Sequence, residues 1–63
     1  MNEKLFRIAL RYIEKGYGLE DLRCGDDLYN SSDEDKELCM EYYYTIQEQG
    51  TIWAYEELET LNK

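Results

Sequence analysis

The chain has 63 residues, a formal net charge of −8 with 15 acidic and 7 basic side chains, and no histidine or proline. A chain of this size makes one domain that buries about 60% of its unfolded surface, so a large internal pocket is excluded. A 43% hydrophobic fraction with seven tyrosines, one tryptophan and one phenylalanine is too apolar for a disordered acidic tail, and the charge is read as the surface of a folded object.

The absence of histidine removes Ser-His and Cys-His nucleophile pairs. No Gly-rich phosphate loop is present. Carboxylates are abundant, but a catalytic carboxylate needs a sheltered cleft that raises its pKa, and the exposed face of a small domain lacks that shelter. The expectation is a protein that is not an enzyme and needs no cofactor. Cys24 and Cys39 lack CxxC spacing, so neither a thiolate metal site nor a disulfide is expected. No run approaches the ~20 apolar residues of a membrane span, and no signal peptide is recognised, so a cytoplasmic location is expected.

Residues 2–15 carry Leu5, Phe6, Ile8, Ala9, Leu10, Tyr12 and Ile13, which cover more than half of a helical wheel. Such a helix needs neighbours on two sides. Its remaining surface holds Lys4, Arg7, Arg11 and Lys15 in one basic stripe, and Gly16 and Gly18 end it. Residues 1–18 have a balance of +2 (four basic, two acidic), whereas residues 19–63 have −10 (three basic, thirteen acidic). A nucleic-acid binder would add positive surface to the stripe, but here the rest of the molecule repels phosphate. Direct nucleic-acid binding is therefore not expected; the stripe is read as a solvated face, or as a partner for acidic residues of its own or a second copy.

Leu19 to Cys24 reads as one or two helical turns that plug the core, followed by an acidic connection in which Leu28 and Tyr29 pack down. Residues 26–37 have the length of a calcium loop. Leu28 stands at its third position where a ligand oxygen belongs, and Ser31 at its sixth where glycine is needed, so the loop is rejected.

The organising stretch is Ser32 to Gly50. Ser31 and Ser32 can each accept from first-turn N–H groups, Asp33, Glu34, Asp35 and Glu37 favour the positive end of the helix dipole, and Gly50 ends the helix. At ~100° per residue, Leu38, Cys39, Tyr42, Tyr43 and Ile46 form a core arc. Opposite lie Glu34, Glu37, Glu41 and Glu48, flanked by Met40 and Tyr44. Thr51 is expected to cap a last helix running to about Asn62, with Ala54, Tyr55, Leu58 and Leu61 as its buried stripe. Trp53 lies off that stripe toward Glu56 and Glu57, either covering the first helix or anchoring an interface.

The expected fold is all-α over residues 1–63: a small three-helix domain with an additional short helical turn between the first and second long helices. Its predicted core is Leu5, Phe6, Ala9, Leu10, Ile13, Leu22, Leu38, Tyr42, Ile46, Leu58 and Leu61. Strands are excluded because the long apolar patterns have a period near 3.6 and no Asn-Gly hairpin turn occurs.

Two kinds of function fit. In the first, the chain inhibits a protein with a basic, nucleic-acid-binding surface, with Glu34, Glu37, Glu41, Tyr44, Glu48, Trp53, Glu56 and Glu57 as the partner-binding residues. In size and composition it resembles phage-encoded antagonists of host nucleic-acid enzymes, such as anti-restriction and anti-CRISPR proteins, with no shared motif. In the second, it is a homodimeric or subunit-binding helical regulatory module, in which basic and acidic stripes meet across a two-fold axis.

Overall fold

A computed structural model describes residues 1–61, and the predicted helix end at Asn62 lies outside them. The order is α1 (Glu3–Glu14), α2 (Leu19–Cys24), a 3-10 turn (Asp26–Leu28), α3 (Asp33–Gln49) and α4 (Thr51–Leu61). Among the described residues there is no strand. The all-α architecture, with a short helix between the first two long ones, is as the sequence predicts, and a 3-10 turn is added to the connection.

Local chemistry sets the ends. The Asn2 side chain accepts from Leu5 N–H (3.2 Å) to start α1, and Ser32 Oγ accepts from Asp35 N–H (3.1 Å) to start α3. Ser31 has a different role: its N–H donates to the Leu28 carbonyl and closes the preceding turn. At the head of α2, the Asp21 carboxylate accepts from Gly18 N–H (3.2 Å). Gly50 joins α3 directly to α4. Its N–H donates to Ile46 O (2.7 Å), while its own carbonyl accepts from Ala54 N–H (3.2 Å). With φ 98° and ψ 160° it occupies a region open essentially to glycine alone. Thr51 is thus the first residue of α4 rather than its cap, because Gly50 already closes the first turn.

α1 packs chiefly on α3, with α4 against both and α2 beside α3. The core comprises Leu5, Phe6, Ile8, Ala9, Leu10 and Tyr12 of α1, Leu22 of α2, Leu28 of the 3-10 turn, Cys39, Tyr43 and Ile46 of α3, and Ala54 and Leu58 of α4. Ile13, Leu38 and Tyr42 pack at its margin, half-buried. Met40, placed by the wheel on the solvent side, also packs against the core, because α2 widens the covered arc of α3.

Three further expectations, all of burial, are corrected. Tyr55 is 49% exposed: its hydroxyl donates to the Glu14 carboxylate at the end of α1, which draws the ring across that end instead of beneath it. Leu61 is 43% exposed, at the last residue of α4 and three residues beyond Leu58, the last one that α4 buries. Tyr29 is 74% exposed, because Leu28 takes the inward direction and the next residue, ~120° further round the 3-10 turn, points out.

The connection is fastened to α1 by Tyr12. Its hydroxyl donates to Asp27 (3.0 Å), and burial, reinforced by that carboxylate, pushes the phenol pKa up. Gly25 leaves the room for this. A Cβ there would collide with the Tyr12 hydroxyl and stand 2.7 Å from the Asp21 carbonyl, which is backbone and cannot swing aside. Gly25→Ala is expected to destabilise by about 1–3 kcal/mol, as overpacking does. In a Tyr12→Phe background the penalty should shrink without vanishing; urea unfolding of the four chains measures it, and equal penalties in both backgrounds would contradict the geometry.

The two cysteines are free, Cys24 exposed and Cys39 buried. The Cys39 thiol donates to the Leu5 carbonyl (3.3 Å), and burial pushes its pKa from 9.0 up to about 11, partly offset by the Ala9 backbone N–H. A raised folded-state pKa holds the thiol neutral, so this stabilisation is complete below pH 9 and is lost as the pH rises toward 11. Native protein at neutral pH should label one thiol rapidly and the second only on adding urea, and the urea midpoint should fall across that alkaline window. Two rapidly labelled thiols would show that Cys39 is not enclosed.

Candidate functional site

The outer face of α3 is the candidate site. Glu34, Glu37, Glu41 and Glu48 are all exposed, and Tyr44 is 57% exposed in line with them. Successive spacings of three, four, three and four residues keep these five side chains on one straight stripe of an α-helix. At ~1.5 Å per residue the stripe runs roughly 21 Å. Tyr44 holds the place in that rhythm where another carboxylate would stand.

The stripe is held rigid from behind. Opposite it on the helix, Cys39, Tyr43 and Ile46 are buried. The Tyr42 hydroxyl accepts from Asn2 N–H (3.0 Å), tying α3 to the start of α1, and the Tyr43 hydroxyl donates to the Tyr17 carbonyl (2.8 Å). Tyr44 lies edge-on to Tyr43 at a centroid distance of 6.4 Å and an interplanar angle of 87°, so its exposed ring has a fixed backing.

Positive charge is scarce nearby. From residue 37 to residue 61 there are six glutamates and no Lys or Arg. A cleft of about 320 Å³ at the other end of the stripe is lined by Arg23, Asp33, Lys36, Glu37 and Met40. Its two cations and two carboxylates offset one another, so it selects neither sign of ligand. Among the described residues no group of three or more His, Cys, Asp or Glu side chains is placed to hold a metal ion, and no helix is long and apolar enough to cross a membrane.

The remaining predicted partner-binding residues lie beyond the Gly50 turn. Trp53 is half-buried with its ring 6.1 Å from that of Phe6, covering α1. Glu56 is exposed and Glu57 half-buried. The structure therefore gathers the α3 residues into one surface and sets Trp53 into the wall of the core. Sequence reasoning missed Ile52, which is 77% exposed. The signal was available, because a residue two before buried Ala54 lies ~160° away on the wheel.

The basic stripe is also exposed. Lys4, Arg7, Arg11 and Lys15 face solvent, and the single ion pair among the described residues is Arg7 with Glu3, 3.5 Å apart on the same helix. Of the readings offered for the stripe, pairing with acidic residues of α3 in the same chain is not seen among the described residues, and within one chain the stripe is a solvated face. Comparison with known protein families, characterised proteins and solved structures found no match to the chain.

Proposed function

We propose that the chain is a non-enzymatic acidic binding protein that occupies a basic, nucleic-acid-binding surface of a partner, in the manner of phage-encoded anti-restriction or anti-CRISPR antagonists. The observation that supports this most is the five-residue stripe of α3, four glutamates and a backed tyrosine on a helix fixed by its core face. Lys and Arg side chains that pair with phosphates can pair with carboxylates as well, and a face of net negative charge steers that encounter from a distance, more weakly as salt rises. Tyr44 adds a contact that can be desolvated, which charge alone does not provide.

The test is capture of a partner from host lysate at low salt, followed by release with rising salt and with excess duplex DNA or RNA. Steep salt dependence and displacement by nucleic acid are expected. A captured partner indifferent to both would remove the proposal.

The exposed basic stripe favours a second reading, in which copies of the chain associate through unlike faces. Sedimentation at micromolar concentration separates the two, since a monomer at all salt concentrations is incompatible with self-association.

A further inference from the structure

We infer that the outer face of α4 around Ile52 and Tyr55 docks a cationic amphipathic helix, seating an apolar side chain between these two residues. Ile52 is 77% exposed and Tyr55 49%, three residues apart on the helix and hence neighbours on its surface. An isoleucine so exposed contributes little to the fold. Three carboxylates border the pair: Glu56 lies four residues beyond Ile52, Glu59 four beyond Tyr55, and Glu14 receives the Tyr55 hydroxyl at the end of α1, where the exposed basic stripe of that helix begins with Arg11 and Lys15. Residues of α4 include no Lys or Arg to neutralise them.

That hydrogen bond also fixes the Tyr55 ring as one wall, and holding Tyr55 protonated beside a carboxylate raises its pKa. An apolar pair inside a carboxylate rim is complementary to a helix with an apolar stripe bordered by Lys or Arg. A purely polar cation would leave Ile52 in water, and a neutral apolar segment would bury the edge of the rim unpaired. The inference takes from the proposed function only the sign of the partner's charge, and it adds an apolar contact on α4 to the one that Tyr44 offers on α3.

The experiment titrates the chain with a synthetic amphipathic Leu/Lys helix and with a matched Gln/Lys peptide, reading the fluorescence of Trp53, the sole tryptophan, one residue from Ile52. The Leu/Lys helix should bind, the Gln/Lys peptide should bind about tenfold or more weakly, and Ile52→Ser should lose about tenfold or more toward the Leu/Lys helix. Because Ile52 lies at the surface, Ile52→Ser should keep the wild-type unfolding transition. Equal binding of the two peptides, unchanged affinity of Ile52→Ser, or no binding by the wild-type chain would each overturn the inference. Release of a captured partner by nucleic acid tests the α3 stripe separately, so either idea can fail alone.

Discussion

Replacing Phe6 by Ala is expected to abolish cooperative folding at 25 °C, or to leave only a remnant of it. Phe6 is 1% exposed and touches two other helices at once, meeting Tyr42 of α3 edge-on at 5.4 Å and Trp53 of α4 at 6.1 Å. Truncating a buried phenylalanine costs about 3–5 kcal/mol, through lost transfer energy and the cavity left behind. A domain of this length has on the order of 3–9 kcal/mol to lose, at 0.05–0.15 kcal/mol per residue. The helices cannot readily close over the gap, because the aromatic rings on its far side are large and held by their own contacts. Phe6→Leu fills most of the space, and its cost should be about 1–2 kcal/mol. Urea unfolding followed by far-ultraviolet circular dichroism measures both. An alanine variant within about 1 kcal/mol of wild type would mean that α3 and α4 do not meet on Phe6.

The features that were legible in the sequence are those decided within a helical turn or by the wheel alone. Asn2 and Ser32 cap helices because their side chains reach N–H groups three residues on, and Gly50 separates α3 from α4 because only glycine takes its backbone angles without strain. The acidic stripe was legible for the same reason. Once Cys39, Tyr43 and Ile46 are buried, helical geometry puts Glu34, Glu37, Glu41, Tyr44 and Glu48 outside. What failed depends on neighbours. Tyr55 looked like a core residue until the end of α1 offered its hydroxyl a carboxylate, and Met40 looked wet until α2 packed beside it. The fit of Tyr12 over Gly25 joins residues from separate elements, and no local pattern announces it. Trp53 was ambiguous because a tryptophan one turn from glutamates suits an interface and a core margin equally; the ring of Phe6 resolves its packing.

The triple substitution Glu37→Lys, Glu41→Lys, Glu48→Lys is expected to cut partner binding by about a hundredfold or more while leaving the fold intact. Three reversals change the formal net charge from −8 to −2. They leave Glu34 as the one carboxylate of the stripe and turn its centre into a surface that repels a basic partner. Like charges placed against each other at an interface cost several kcal/mol in total, which is the source of that loss. Stability should change by no more than about 1 kcal/mol, since the relief of net charge is set against the loss of Glu37 near the positive end of the helix dipole. The three side chains are exposed, none makes an ion pair among the described residues, and lowering the net charge relieves self-repulsion. Glu37 and Glu41 also repel each other at a spacing of four residues, and Glu41→Lys alone converts that pair into a Glu-before-Lys pair of the favourable orientation, worth about 0.2–0.5 kcal/mol. The single variant should therefore unfold at the same urea concentration as wild type or slightly higher. Measuring binding and unfolding on the same samples separates a functional stripe from a merely solubilising one. If the triple variant folds and still binds the partner as tightly at low salt, the carboxylates of α3 are not the contact, and the inhibitor reading fails with them.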